Sequence, residues 1–163
     1  MTSKEWIEIN KVFISLPKEK LLAIAVYGEA RGESIEGMKA VINVIKNRVI
    51  AGGWFIDKKI AELSTPTHGV ILKRWQFSCF LENDPNRKKL EDIANLWLKV
   101  SDTETTNKLK KYTKLETVYI LAIEDFEDNT DGATHYFAKH IEPPKWVNKY
   151  TKVAEIGNHI FYK

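Results

Sequence analysis

Apolar positions recur at helical spacing over most of the chain and alternate only near its end, a pattern that predicts a mainly helical α+β fold. Pro17 sits where a helix can start, and Leu21, Leu22, Ala25, Val26 and position 29 follow on one face before Gly28 and Gly32 interrupt. Ser34 is placed to cap a second helix, in which Met38, Val41, Ile42, Ile45 and Val49 make a stripe that runs up to Gly52 and Gly53. Residues 54 to 83 mix Trp54, Phe55, Pro66, Gly69, Trp75, Phe77 and Phe80 without a clean period, which reads as packed loops with short strands or turns. Asp84 and Pro85 supply a cap and a first-turn proline for a third helix carrying Leu90, Ile93, Ala94, Trp97 and Val100. Leu115, Val118, Tyr119 and Ala122 mark a fourth. Toward the C-terminus, the β-prone run 134–138, the break at Pro143-Pro144, and the run 153–156 leading through Gly157-Asn158 to 159–162 predict a small β-hairpin or sheet.

Length and composition narrow this picture. At 163 residues the chain is expected to be a single domain, with 17–163 as its core and 1–16, carrying Trp6, Ile7, Ile9, Val12 and Phe13, as an N-terminal helix or arm packed on it. Hydrophobic residues at 44% supply a core, and a net charge of +3 excludes a dedicated nucleic-acid arm or a disordered tail. The one cysteine, Cys79, excludes an intrachain disulfide and a cysteine-based metal cluster. Charges at Lys4, Glu5, Glu8 and Lys11 interrupt any apolar export segment, and no run approaches the length of a membrane span, so a cytoplasmic product without stable membrane insertion is expected.

One carboxylate lies on an apolar face. The stripe of the first helix through Leu22, Ala25 and Val26 continues to Glu29, at the negative end of the helix dipole, where burial and dipole both raise a carboxyl pKa. A raised pKa is what a general acid needs near neutral pH. Glu33 and Glu36 flank the Ser34 cap, at the positive end of the second helix, and read as structural. Periodicity leaves Glu29 open to a second reading, as a partner for Arg31, Arg48 or a buried backbone amide. The four histidines lack metal-ligand spacing, so neither a metal nor a cofactor is expected. Cys79 among large aromatics reads as a buried thiol, and Lys108, Lys110, Lys111 and Lys114 as a solvated turn.

Four ordered blocks carry a resemblance. They are Ala25-Val-Tyr-Gly-Glu-Ala-Arg-Gly-Glu33 with the run from Glu36 to Val49, Gln76-Phe-Ser-Cys79 with Asp84-Pro-Asn-Arg87, Gly132-Ala-Thr-His-Tyr-Phe-Ala138 with Pro144 and Trp146, and Ile156-Gly-Asn-His-Ile-Phe-Tyr162. Together they resemble the signature of the spore-cortex-lytic (SleB-like) cell-wall hydrolases. The resemblance implies a lysozyme-like α+β fold and cleavage of peptidoglycan glycan strands between N-acetylmuramic acid and N-acetylglucosamine, mostly as lytic transglycosylases. It places the catalytic acid on Glu29. Gln76 and Ser78 then become candidates for orienting the glycan, with Phe77 as core or platform. Along the C-terminal strand, Thr134, Tyr136 and Ala138 share one face and His135 and Phe137 the other. The resemblance favours Tyr136 with Thr134 as cleft residues near Glu29, and leaves His135 open as a structural histidine.

Two-carboxylate glycosidases need a second acid at a defined separation, and no second carboxylate stands on a comparable stripe. The expectation is therefore a single-acid lytic transglycosylase, in which the muramoyl N-acetyl group and C6 hydroxyl replace the second carboxylate and water. A hydrolytic muramidase of the same fold, or a peptidoglycan-binding protein without turnover, are the alternatives. Without an export segment, the expected setting is a bacteriophage or prophage endolysin for a Gram-negative wall, reaching its substrate after a holin-like protein permeabilises the membrane.

Overall fold

A computed structural model describes residues 1–99 and 103–163. Its helices are α1 (Ser3–Ile9), α2 (Lys11–Ile14), α3 (Lys18–Ala30), α4 (Ile35–Ala51), α5 (Lys58–Leu63), α6 (Pro66–Ile71), α7 (Arg87–Leu98), α8 (Thr103–Leu109) and α9 (Leu115–Ile123). Three strands follow, β1 (His135–Ala138), β2 (Lys152–Ile156) and β3 (His159–Tyr162), in the antiparallel order β1-β3-β2. The result is the expected mainly helical α+β architecture with a small C-terminal sheet.

Helix α3 is the axis. Eight of its thirteen residues are buried, including the whole run from Leu21 to Tyr27. The face holding Leu22, Ala25 and Val26 is therefore one side of a helix enclosed on nearly every side, not a narrow stripe. Gly28 does not break it. A Cβ there would stand 2.7 Å from Cys79 Sγ and 2.9 Å from Cys79 Cβ, so glycine is what lets the Cys79 segment lie directly against α3.

Ser34 caps α4 as its sequence predicts, its hydroxyl accepting from the Gly37 amide at 3.2 Å. Two sides of α4 are buried. Met38, Val41, Ile42 and Ile45 join the main core, while Ala40 and Val44 pack with Ala133 and Phe161 beneath the sheet. Arg48 follows Val44 at the same i+4 spacing, so it too faces the sheet. The helix is thus a wedge between the helical core and the strands.

The region 54–83 differs from its expected loops and strands. It holds α5 and α6, capped by Asp57, which accepts from the Ile60 amide, and by Thr65, which accepts from the His68 amide ahead of Pro66 at the first turn. Local cap chemistry outweighed the missing apolar period. Helix α7 begins at Arg87 rather than Pro85, and its cap position is Asn86; Asp84 instead accepts from the Asn86 amide at 2.8 Å, closing a turn before the helix. Val100 lies outside the described residues. The basic run is divided, with Lys108 on α8 in an ion pair with Glu104, and Lys110, Lys111 and Lys114 in the connection to α9.

Residues 1–16 form α1 and α2 against the core, burying Trp6, Phe13 and Leu16. The Trp6 indole N–H donates to the Leu72 carbonyl at 2.7 Å, and Phe13 meets Phe80 edge to face at 5.1 Å. Arg87 joins this arm to the rest of the fold: it donates to the Ile9 carbonyl at 2.6 Å and to the Phe80 carbonyl, and pairs with Glu91 at 2.9 Å.

Candidate active site

The C-terminal turn of α3 brings Glu29 to a point where two distant segments meet. From one side the Cys79 amide, in the short helical turn Ser78–Phe80, donates to Oε1 at 3.5 Å. From the other the Tyr136 hydroxyl, on β1, donates to Oε2 at 3.3 Å. Both contacts are long, and the Cys79 thiol also donates to the carboxylate. Among the described residues no cation lies within ion-pair distance of Glu29. Burial therefore dominates and raises the Glu29 pKa above its ordinary value; the three hydrogen bonds oppose that rise, and the Asp84 charge adds to it.

The alternative partners are engaged elsewhere. Arg31 turns back along α3, donating to the Tyr27 carbonyl at 3.0 Å and to Asn86 Oδ1 at 2.8 Å. Arg48 is buried and bridges two segments: Nε donates to the Thr134 carbonyl at 2.7 Å and Nη1 to Gln76 Oε1 at 2.9 Å. Its guanidinium also lies over the Phe55 and Phe77 rings. Glu29 is left without a cation beside it among the described residues, so burial keeps its carboxyl protonated to higher pH despite the bonds from neutral donors.

Glu33 and Glu36 are structural in the sense their positions predict. Glu33 accepts from the Asn158 amide at 3.3 Å and lies 3.4 Å from His159 Nδ1, joining the start of α4 to the β2–β3 turn. That contact falls short of a hydrogen bond, since Nδ1 has no partner with acceptable geometry, and burial lowers the His159 pKa. Glu36 accepts from Asn129 Nδ2 at 3.2 Å.

The sequence profile of the cell wall hydrolase family matches residues 32–162. The chain belongs to that family. The match begins three residues after Glu29. Among curated relatives of this cell wall hydrolase, the spore cortex-lytic enzymes of Bacillus cereus and Oceanobacillus iheyensis are each 28% identical over 88% of the chain. The chain spans 43% and 41% of their lengths, less than half. Two solved structures share the fold at a TM-score of 0.53 and 27% identity. The catalytic domain of the Bacillus cereus SleB protein is covered over 89% of its length, and that of the germination-specific lytic transglycosylase SleB of Bacillus anthracis over 93%, each by 90% of this chain.

The remaining candidates of the hydrolase fall into two groups. Tyr136 is brought to Glu29 directly. Gln76 is brought near but its carboxamide is occupied, accepting from Arg48 and donating to the Phe55 carbonyl at 2.5 Å. Ser78 is exposed at the first position of the turn that presents Cys79. The Thr134 hydroxyl pairs with its neighbour, His135 Nδ1, at 2.9 Å. Phe77 is core at 2% exposure, so the aromatic surface of the site lies elsewhere. His135 packs 4.0 Å from Tyr150, and burial, aided by the Arg48 charge, lowers its pKa to about 4, so it stays neutral at physiological pH.

Sequence reasoning missed Arg48 as an organiser and Cys79 as a neighbour of the acid. The i, i+4, i+8 series Ala40, Val44, Arg48 was the available signal for the first. For Cys79 the signal was Gly28, a glycine inside a helix that demands a close approach.

A cleft of about 400 Å³ is lined by Tyr136 with Arg48, Gln76 and His135 and by the aromatics Trp54, Trp75, Trp146 and Tyr150. A larger groove of about 710 Å³ is lined by Leu22, Ile45, Val49 and Ile50 between α3, α4 and the end of α9; Glu29 itself lines neither, and the smaller cleft reaches its partner Tyr136.

Proposed function

We propose that this cell wall hydrolase cleaves the N-acetylmuramic acid–N-acetylglucosamine bond of peptidoglycan as a single-acid lytic transglycosylase, with Glu29 as the acid. The unit is 17–163 with 1–16 as its packed arm. The observation that carries the reading is the setting of Glu29: half-buried where α3, the Cys79 turn and β1 meet, with no cation in ion-pair reach among the described residues, so that burial raises its pKa against the opposing hydrogen bonds.

Glu29 gives its proton to the glycosidic oxygen as the bond from that oxygen to C1 of the muramoyl residue breaks. The N-acetyl carbonyl supports the positive charge developing at C1. The ionised Glu29 then takes the proton from the C6 hydroxyl as O6 bonds to C1, which closes a 1,6-anhydro ring and restores the acid. No water is consumed. Tyr136 and the Cys79 amide steady the carboxylate in its ionised stage. Asp84 is the carboxylate that acts on Glu29 through its charge, but its side chain is spent on the Asn86 amide, which favours a one-carboxylate mechanism over the two-carboxylate scheme. Gln76, Ser78 and Thr134 are kept as glycan-binding positions, Gln76 through its hold on Arg48.

The biological setting we attach to this chemistry is phage-induced lysis, with access to the wall through a holin-like permeabiliser. Co-expression with a holin should clear a culture; an active purified enzyme that fails to do so contradicts the setting but not the chemistry. Mass spectrometry of digested peptidoglycan tests the mechanism. Products ending in 1,6-anhydromuramic acid are expected, and reducing ends one water heavier would assign a hydrolytic muramidase instead.

A further inference from the structure

Two largely exposed tryptophans line the cleft that has Tyr136 in its wall. Trp75 is 71% exposed and Trp54 59%. Trp75 is also in the left-handed region, at φ 72°, where a bulky side chain is disfavoured and glycine is the ordinary choice. The strain has a local source. The turn from Lys73 to Gln76 is closed by the Gln76 amide donating to the Lys73 carbonyl at 3.1 Å, and Trp75 occupies the third position, where a positive φ is the type II requirement. That turn sends Gln76 inward to Arg48 and Trp75 outward.

Neither indole is loose. The Arg74 guanidinium lies 4.9 Å from the centre of the Trp75 ring and 5.5 Å from that of buried Trp6, and is tied to Glu82 at 2.9 Å. Trp54 is stacked on Phe55 at 4.2 Å. These contacts leave most of each ring facing solvent, and at Trp75 a large exposed aromatic is kept on a strained backbone, which is the mark of a residue placed for a ligand.

Both tryptophans line the cleft of about 400 Å³ that has Tyr136 in its wall, so the cleft runs to the residue that touches Glu29. We propose that this cleft is a saccharide subsite, in which Trp75 and Trp54 stack against the apolar faces of N-acetylated pyranose rings of a glycan strand approaching Glu29. Flat aromatic rings beside polar groups, here buried Arg48 and half-buried Gln76, suit the alternation of C–H faces and polar edges that a pyranose presents. The assignment rests on the glycan-cleaving reading above for the direction of the strand, and on the tryptophans alone for binding.

The test uses the whole chain carrying Glu29→Gln, to prevent turnover, and the β-1,4-linked tetramer of N-acetylglucosamine as probe, followed by tryptophan fluorescence and calorimetry. Trp75→Gly is informative because it relieves the backbone strain: the melting temperature should hold or rise while tetramer binding weakens about tenfold. Trp54→Ala should weaken binding by a similar factor, and Trp75→Phe, which keeps a platform, by less. Equal affinity in the parent and the Trp54→Ala/Trp75→Gly double variant, or no binding by the parent, would overturn the subsite. Binding lost in that double variant, in a protein whose Glu29→Gln form still digests sacculi, would uphold the subsite while removing Glu29 as the acid.

Discussion

The Tyr136 hydroxyl reaches Glu29 Oε2 at 3.3 Å, joining the first strand to the end of α3 across 107 residues of sequence. The pair is reciprocal. The hydrogen bond favours ionised Glu29, while burial and the nearby carboxylate raise the Tyr136 pKa well above its ordinary value and keep the hydroxyl a donor. Tyr136→Phe keeps the ring packed on Phe161 and removes only the donor. A hydrogen bond to a charged group is worth about 1.5–3 kcal/mol, so kcat/KM should fall by at least about tenfold with the fold intact. The Glu29 pKa should rise, moving the alkaline limb of the pH–rate profile upward.

Asp84 works in the opposite sense. Its charge helps raise the Glu29 pKa, and its Oδ1 holds the Asn86 amide. Asp84→Asn retains an acceptor oxygen but removes the charge. The alkaline limb should therefore move downward, with little change in melting temperature. A pH–rate series on sacculi, run on both variants, checks the two directions against each other.

Gly28→Ala sets two effects against each other. Alanine in a helix interior gains about 1 kcal/mol over glycine. The new Cβ, however, would meet Cys79 Sγ at 2.7 Å and Leu90 Cδ1 at 3.2 Å, and overpacking of this kind costs about 1–3 kcal/mol. Net destabilisation is expected in a denaturant titration, together with reduced activity, because the displaced segment carries the amide that holds Glu29.

Much of this site was legible along the chain, for reasons that differ by residue. Glu29 stood out because a carboxylate closes the long apolar run of α3, although the helix is buried on more sides than the stripe indicated. Strand alternation put Tyr136 on the opposite side from His135 and Phe137, and the observed burial alternates in that way. Helices α5 and α6 were missed because each is six residues, too short for a period, although Asp57 and the Thr65-Pro66 pair announced them. Asp84-Pro85 misled because an aspartate before proline serves a turn as readily as a helix start. The Arg48–Gln76–Thr134 bridge joins three segments far apart in sequence, and no local pattern encodes such a meeting.

Stability should carry the mark of the buried acid. A carboxyl whose pKa is raised by folding ionises first in the unfolded chain, so stability begins to fall above about pH 4.3 and stops falling once the folded-state pKa is passed. Glu29→Gln removes that loss. Its melting temperature should match the wild type near pH 4 and exceed it at neutral pH, as thermal scans across the range will show.

The role of Glu29 as general acid is tested by the rate at which purified Glu29→Gln digests isolated sacculi at neutral pH. General acid catalysis contributes about 10²–10⁴ in rate, so a loss of that size is expected in a protein at least as stable as the wild type. Digestion at the wild-type rate would contradict the claim and leave Glu29 as a buried structural carboxylate.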